Sequence, residues 1–121
     1  MKKKVVIIDD SMYMRSMIAE ALESEGSFEI VGQAGDGNSG IELVLEHQPD
    51  LVTLDNVLPD MLGIDILKVL KEEENIPGKV IMISAVGQDN VVKEGLSIGA
   101  VAYIIKPFTK ESLLETVAQH L

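Results

Sequence analysis

Five short runs of apolar residues recur along the chain, each long enough for a strand and rich in Val and Ile. They occupy residues 4–9, 28–33, 50–55, 79–84 and 101–106. Continuous apolar runs of this length predict strands that are buried on both faces. Between the runs, apolar side chains repeat every three or four positions, which predicts amphipathic helices. The repeats that mark five helices are Met14, Met17, Ile18, Ala21 and Leu22; Ile41, Val44 and Leu45; Ile66, Leu67 and Leu70; Val91, Val92, Leu96 and Gly99; and Leu113, Leu114, Val117 and Leu121.

Strand and helix therefore alternate five times, with short connections and no linker. Ser11 is the expected N-cap of the first helix, while the third begins after Gly63 and ends at Pro77–Gly78. This alternation predicts an α/β protein whose parallel sheet is covered on both faces. Five βα units fit the flavodoxin-like (βα)5 doubly wound sandwich, with a five-stranded parallel sheet in the order 2-1-3-4-5. We expect one domain over residues 1–121 and a ligand site beyond the carboxyl ends of the strands.

Charge and composition restrict the possible partners. Twenty acidic and ten basic side chains give a net charge of −10, and the chain has no Cys. A nucleic-acid backbone would repel such a surface, so we expect no nucleic-acid binding. The absence of Cys excludes thiolate metal sites and thiol catalysis. No apolar run is long enough for a membrane span, and Val5–Ile8 is too short for a signal peptide, so we expect a cytoplasmic protein without membrane insertion.

Polar side chains stand at the carboxyl ends of four of the five predicted strands. Asp9 and Asp10 end strand 1, Asp55 ends strand 3, Ser84 ends strand 4 and Lys106 ends strand 5. Taken alone, each could be an ordinary turn or cap residue. Because the ends of parallel strands meet at one edge of the sheet, the groups together predict a shared site.

This combination of groups favours phosphoryl chemistry. Three carboxylates in one crevice cannot all stay ionised cheaply, so either their pKa values rise or a cation binds. A site with only oxygen ligands favours a hard cation, Mg²⁺ above all. Lys106 and Ser84 supply an ammonium and a hydroxyl that suit phosphoryl oxygens. A carboxylate held against Mg²⁺ can itself be the nucleophile, so the pattern predicts phosphoryl transfer onto an aspartate.

Other polar residues are expected to be structural. His47 and His120 lie on helical segments away from the strand ends, so neither is expected to be a ligand or a general base. Asp60 and Asp65 are expected in a turn and on a solvated helix face.

Four segments resemble the receiver domains of two-component response regulators, and among these the single-domain chemotaxis regulators. The segments are VVIIDDSMYMR (5–15), DLVTLDNVLPDMLG (50–63), MISAVGQ (82–88) and GAVAYIIKPF (99–108). The resemblance covers essentially the whole chain. It implies a phosphoacceptor signalling protein that assists its own phosphorylation and dephosphorylation but is not an enzyme. The chain departs from the family at Leu62, where an Asp or Asn usually precedes the glycine.

The resemblance also implies which residues hold the metal ion and the phosphoryl group. Asp55 would accept the phosphoryl group from the phosphohistidine of a sensor histidine kinase. Asp10 and Asp55 would bind Mg²⁺ through their side chains and Val57 through its backbone carbonyl, with Asp9 acting through bound water. The cofactor expected from the resemblance is therefore the same Mg²⁺ that the strand ends favour.

Further residues would sense the phosphoryl group once it is attached. Ser84 would hydrogen-bond it, Lys106 would pair with it, and Tyr103 would be the aromatic switch, although by its position alone Tyr103 is a half-buried strand aromatic. Lys106–Pro107 would be a cis peptide. Phosphorylation would then move the face built from helix 4, strand 5 and helix 5. The implied partners are a chemotaxis kinase and an output protein, such as a flagellar motor switch protein or a phosphatase.

Three alternatives stay open at this point. The chain could be the receiver part of a longer DNA-binding regulator. It could be an aspartyl-phosphate phosphohydrolase, although enzymes that resemble haloacid dehalogenases carry DxD after strand 1, where this chain has DDS. It could bind a flavin or a nucleotide, but that needs a Gly-rich or Ser/Thr-rich anion loop where this chain places two aspartates.

Two apolar positions predict a long-lived acyl phosphate. In the family, the positions two after the phosphoacceptor and two after the strand-4 hydroxyl flank the path of the attacking water. Here they are Val57 and Val86, which offer no hydrogen bond to hold that water in line. We therefore expect slow self-dephosphorylation, unless Gln88 reaches in and supplies the missing polar group.

Overall fold

Five parallel strands form one sheet in the order β2-β1-β3-β4-β5, which confirms the predicted topology. The structure is a computed structural model and describes residues 1–85 and 89–121. The prediction for Val86 and Gln88 therefore lies outside the described residues. The strands are β1 (Lys3–Ile8), β2 (Phe28–Ala34), β3 (Leu51–Asp55), β4 (Lys79–Ala85) and β5 (Ala102–Lys106).

Helices connect the strands and cover both faces of the sheet. They are α1 (Met12–Glu25), α2 (Gly37–His47), α3 (Gly63–Lys68), α4 (Asp89–Ile98) and α5 (Lys110–His120). One core cluster joins α1 and α5 to the sheet, and a second joins α2, α3 and α4 to the opposite face. The strands contribute to both clusters because successive side chains along a strand point to opposite faces. Within the described part of the chain, no helix is both long enough and apolar enough to cross a membrane.

The helix termini show which caps the chain uses. The predicted N-cap Ser11 is confirmed: its Oγ accepts a hydrogen bond of 3.1 Å from the N–H of Met14. Thr109 forms a reciprocal capping pair with Ser112 at the start of α5. Leu62 is the N-cap residue of α3 and makes no side-chain cap. The departure of the chain from its family at residue 62 therefore leaves α3 without a side-chain acceptor at its N-terminus.

The third helix differs from the regular helix that its apolar spacing predicts. After Lys68, the backbone widens into a π-helical segment, Val69–Glu73, and Asn75 follows in the left-handed region at φ 49°. The side chain of Lys71 reaches the segment between this helix and β4, where its Nζ donates to the carbonyls of Ile76 at 3.2 Å and Gly78 at 2.6 Å. These bonds stabilise the turn into β4. Burial lowers the pKa of Lys71.

One buried hydroxyl is left without a partner in the middle of the sheet. Thr53 is 1% exposed and is paired in register with Ile7 and Ile81, so aliphatic side chains surround it. Among the described residues, its Oγ1 has no hydrogen-bond partner. A buried hydroxyl without a hydrogen bond destabilises the folded state.

We expect Thr53→Val to raise the free energy of unfolding by about 1 kcal/mol, because it removes the unpaired hydroxyl and keeps the shape. Urea unfolding measures the change. Thr109→Val is the matched control and should lower the same free energy by about 1 kcal/mol, because it removes a used cap. A loss of stability in Thr53→Val would mean that the hydroxyl has a partner, such as a buried water.

Candidate functional site

The predicted site residues meet at one edge of the sheet, where four neighbouring strands end. A cavity of about 280 Å³ opens there, and Asp10, Asp55, Asn56, Val57, Ser84, Ala85 and Lys106 line it. The strand register explains the convergence: Asp55 pairs with Ile83 of β4, and Ala85 of β4 pairs with Lys106 of β5. Ile83 and Ala85 share a face, so Asp55 and Lys106 point to the same side of the sheet.

Three carboxylates form the acidic part of the site. Asp9, Asp10 and Asp55 each place one carboxylate oxygen so that these oxygens lie within 4.8 Å of one another. Asp9 and Asp55 are buried, at 1% and 7% exposure, whereas Asp10 is exposed. A cluster of carboxylate oxygens with one solvent-facing member fits Mg²⁺, which prefers oxygen ligands and keeps several of its waters.

The carboxylate of Asp9 already has a donor at each oxygen. Oδ1 accepts the N–H of Ser11 at 2.9 Å, and Oδ2 lies 3.3 Å from Nζ of Lys106. The backbone of Asp9 is held as well, because its N–H donates to Ala34 at 3.0 Å and its carbonyl accepts from Arg15 at 2.6 Å. Asp9 is thus held both by its side chain and by its backbone.

Asp55 is an acidic residue whose charge is disfavoured by its surroundings. Burial raises its pKa above the ordinary value, and the negative charge of Asp9 adds to this. Lys106, at 3.3 Å from Oδ1, and the N–H of Asn56, at 2.8 Å, act in the opposite direction but do not outweigh the first two. A bound cation would relieve this unfavourable charge directly.

Lys106 supplies the positive charge of the site. Burial by itself would lower its pKa, but attraction to Asp55 and Asp9 outweighs burial and raises the pKa above the ordinary value. Its ammonium is 3.3 Å from an oxygen of each carboxylate. The peptide bond to Pro107 is cis, as predicted.

Ser84 and Tyr103 lie on the other face of the sheet, where Tyr103 packs against the cluster that contains Met82. Their hydroxyl oxygens are buried, and neither has a hydrogen-bond partner among the described residues. Burial raises the pKa of Tyr103; the nearby Ser84 hydroxyl opposes this, and the charge of Asp55 adds to it. The two hydroxyls are therefore neighbours, although they do not meet hydrogen-bond geometry. Ser84 is also one of the residues that line the cavity.

Val57 belongs to a small hairpin between β3 and α3. Its side chain is 60% exposed at the cavity, and its backbone pairs with Leu62 in an antiparallel bridge. At the base of the hairpin, Gly63 donates to the carbonyl of Asn56 at 2.7 Å. A Cβ at Gly63 would lie 2.4 Å from the carbonyl oxygen of Asp55, so only glycine allows α3 to start this close to the acidic cluster.

Sequence reasoning missed two residues that support the site. Arg15, the only Arg in the chain, holds the carbonyl of Asp9, and the signal was its position four residues after the N-cap Ser11, on the same side of α1. Asp60 was expected to be a turn residue, and it is in the hairpin turn. It also accepts the N–H groups of Gly37 and Asn38 at the start of α2. No local pattern indicates that contact, because its partners are 22 and 23 residues away.

The remaining polar predictions are consistent with the structure. Among the described residues, the three aspartates are the only group of three or more acidic, His or Cys side chains arranged to hold a metal ion. His47 is 3.7 Å from Glu46 of its own helix, and neither His47 nor His120 belongs to that group. Asp65 is exposed in the first turn of α3.

In Mg²⁺-free buffer at neutral pH, we expect Asp55→Asn to raise the melting temperature. The folded-state pKa of Asp55 lies above that of the unfolded chain, so ionising this group destabilises the fold. This increase in melting temperature should be complete above the folded-state pKa of Asp55. It should vanish below about pH 4, where Asp55 is protonated in both the folded and the unfolded protein. In millimolar Mg²⁺, wild type should have the higher melting temperature of the two, because the bound ion stabilises its folded state by mass action.

Asp65→Asn removes an equal charge outside the cavity and serves as the control for this experiment. Scanning calorimetry from pH 4 to pH 8, with and without Mg²⁺, makes the comparison. Lower stability of Asp55→Asn at neutral pH without Mg²⁺ would contradict the prediction.

Comparison with known proteins gives the family of this chain. The family model described as the response regulator receiver domain matches residues 5–118. The chemotaxis protein CheY of Bacillus subtilis is 39% identical over 121 residues, which cover 100% of this chain and 99% of that protein.

Two solved structures are also similar in fold. The response regulator domain of Thermotoga maritima CheB superposes with a TM-score of 0.87 at 31% identity, over 98% of this chain and 96% of that one. The CheX–CheY–BeF3–Mg²⁺ complex from Borrelia burgdorferi contains a chain with a TM-score of 0.90 at 34% identity, over 97% of this chain and 87% of that one. The chain therefore belongs to the response regulator receiver domain family of two-component signalling, and it is similar to CheY along its full length.

Proposed function

We propose that residues 1–121 form one receiver domain that acts as a signalling switch, in which Asp55 is phosphorylated by a histidine kinase with the help of Mg²⁺. One observation carries the proposal. Asp9, Asp10 and Asp55 meet the ammonium of Lys106 at the carboxyl edge of the sheet. The buried hydroxyl of Ser84 lies at the same edge and has no hydrogen-bond partner among the residues that the structure describes. This set binds a phosphoryl group and a hard cation side by side, and membership of the receiver family supports the same reading.

The chemistry would use Asp55 as the nucleophile. One carboxylate oxygen attacks the phosphorus of a phosphohistidine, the P–N bond breaks, and an acyl phosphate remains while the electron pair returns to the histidine ring. Asp10 and Asp55 would hold Mg²⁺ by their side chains and Val57 by its carbonyl, and Asp9 would act through a bound water. When bound, the cation neutralises charge on the phosphoryl oxygens and on the carboxylates. The donors that Asp9 already has support its indirect role.

Lys106 and Ser84 would distinguish the phosphorylated state from the free state. The ammonium of Lys106 is shared between Asp55 and Asp9 in this structure, and a phosphoryl group on Asp55 offers it a stronger anionic partner. The buried Ser84 hydroxyl gains its first acceptor in the same event. These differential contacts are what allows phosphorylation to shift a two-state equilibrium.

The output surface would be the face built from α4, β5 and α5. Tyr103 connects it to the site, because its buried hydroxyl neighbours Ser84 while its strand borders the groove between β5 and α5. Leu96 and Ile105 are exposed on this side at 46% and 47%, and they offer apolar area to a partner. We infer a role in chemotaxis, with a flagellar motor switch protein or a phosphatase as partner. The full-length similarity to CheY and the CheX complex of the Borrelia relative support this inference.

Incubation with acetyl phosphate and Mg²⁺ should add one phosphoryl group, and Asp55→Asn should abolish the addition. Intact-mass spectrometry measures the product. Asp10→Asn should slow the reaction at a given Mg²⁺ concentration, and Asp65→Asn should leave it unchanged. A mass increase that survives Asp55→Asn would show that another residue is the nucleophile.

We expect Val57→Asn to speed loss of the phosphoryl group by about tenfold to a hundredfold, because an amide at the cavity could hold the attacking water in line. Leu62→Asn, on the opposite strand of the same hairpin, is the matched control and should have little effect. Phosphate release from purified acyl phosphate gives the rate. Equal rates of phosphate release from Val57→Asn and wild type would show that Val57 does not make the acyl phosphate long-lived.

A further inference from the structure

The hairpin that carries Val57 is attached to the rest of the protein at two places. At its base, Asn56 donates to the carbonyl of Ile83 at 3.1 Å, and Gly63 closes the turn onto Asn56 at 2.7 Å. Between them, Val57 pairs with Leu62, and Leu58 donates to the carbonyl of Met61 at 3.1 Å. These contacts are local to β3, β4 and the hairpin itself. The tip, however, reaches a different part of the fold.

The tip residue Asp60 binds the first turn of α2. One carboxylate oxygen accepts the N–H of Gly37 at 2.7 Å, and the other accepts the N–H of Asn38 at 3.0 Å. The N-cap Asp36 covers the next donor, the N–H of Ser39, at 2.8 Å. The first N–H groups of α2 thus donate to two carboxylates, those of Asp60 and Asp36. The helix dipole also favours negative charge at this end of a helix.

The tip of the hairpin also packs closely against the start of α2. A Cβ on Gly37 would lie 2.8 Å from Sδ of Met61 and 3.0 Å from Cδ1 of Ile66, so a larger residue at position 37 would require the side chain of Met61 to move. The hydrogen bonds of Asp60 and the contact of Met61 thus fix the tip from two sides, while the backbone bonds fix the base.

We propose that Asp60 is a positioning residue of the metal site: by binding Gly37 and Asn38 it holds the hairpin so that Val57 stays in place as a metal ligand. This inference rests on the proposed binding of Mg²⁺ in the cavity. Asp60 does not touch the ion, so it acts through the backbone of residues 57–60. Residues that orient ligands without contacting the metal commonly change metal affinity by about tenfold to a hundredfold when they are removed.

The coupling must also run in the other direction. If the contact of Asp60 raises the affinity for Mg²⁺, then Mg²⁺ strengthens that contact by the same factor, because linkage is reciprocal. The amide protons of Gly37 and Asn38 should therefore exchange with solvent more slowly when Mg²⁺ is bound. The amide of Ser39 is held by Asp36 rather than by the hairpin, so it should respond less. This readout uses the wild-type protein and needs no activity.

The test is Mg²⁺ binding by isothermal titration calorimetry in wild type, Asp60→Ala, Asp60→Asn and Asp36→Ala. Asp36→Ala is the matched control, since it removes a carboxylate from the same helix N-terminus without touching the hairpin. We expect Asp60→Ala to weaken Mg²⁺ binding by about tenfold and Asp36→Ala to change it much less. Asp60→Asn keeps one acceptor oxygen and should fall between wild type and Asp60→Ala.

Salt separates a positional effect from simple loss of a charge. In about 1 M NaCl, where the screening length is about 3 Å, the difference between Asp60→Ala and wild type should persist. Equal weakening in Asp60→Asn and Asp60→Ala that disappears in high salt would overturn the positioning role in favour of long-range attraction. Equal weakening in Asp36→Ala and Asp60→Ala would also overturn it, because α2 stability alone would then explain the effect.

Two further outcomes distinguish this inference from the proposed function. If wild type binds Mg²⁺ and Asp60→Ala binds it equally well, only the role of Asp60 fails. If wild type binds no Mg²⁺, the metal site and this inference fail together. Mg²⁺-dependent protection of Gly37 and Asn38 beyond that of Ser39, measured by amide exchange in wild type, supports the coupling even if Asp60→Ala folds poorly. Equal protection at all three amides contradicts it.

Discussion

Repulsion between three carboxylates that follow two neighbouring strands is the constraint on which the site depends. Asp9 and Asp10 follow β1, and Asp55 ends β3, so the sheet itself holds their charges together. Lys106 is one ammonium against three acids, and the pKa of Asp55 stays raised despite it. The three carboxylates together carry more negative charge than the single ammonium of Lys106 can balance, and the cation binding proposed for this site reduces that excess. A fold that holds these carboxylates together is therefore pre-organised for Mg²⁺.

Successive side chains along a strand point to opposite faces of the sheet, and this places the residues of the site on two different faces. Asp55 and Lys106 belong to the face that α1 and α5 cover, whereas Ser84 and Tyr103 belong to the face that α4 covers. The two sets meet only at the carboxyl edge, where Ser84 lines the cavity. In the proposed function, a change at Asp55 would reach α4 through the hydroxyl of Ser84 and the ring of Tyr103. Among the described residues, the hydroxyls of Ser84 and Tyr103 have no hydrogen-bond partner, so each is a place where a new hydrogen bond can form.

The sequence predicted the site best where a polar residue stands directly at the end of a strand. Because the carboxyl ends of parallel strands lie at one edge of a sheet, the sequence alone predicts that Asp9, Asp55 and Lys106 lie close together. Features that depend on distant partners could not be predicted in this way. The turn of Asp60 was visible in the sequence, but its bonds to α2 require the packing of two elements that are separated along the chain. The π-helical segment Val69–Glu73 was also not predicted, because the apolar spacing through Leu70 continues that of a regular helix.

The hairpin between β3 and α3 shows how one departure from the family pattern is accommodated. Leu62 makes no side-chain cap for α3. The base of the hairpin is held by the backbone bonds of Asn56 and Gly63 and by the bond from the N–H of Asn56 to the carboxylate of Asp55. Asp60 places a carboxylate two residues earlier, and it binds α2 instead of α3. In this chain the side-chain contact of the hairpin tip is therefore made with α2. The position of the hairpin is thus tied to α2, which packs on β2 and β1, so the carboxyl end of β3 is connected through the hairpin to the β2–β1 side of the sheet.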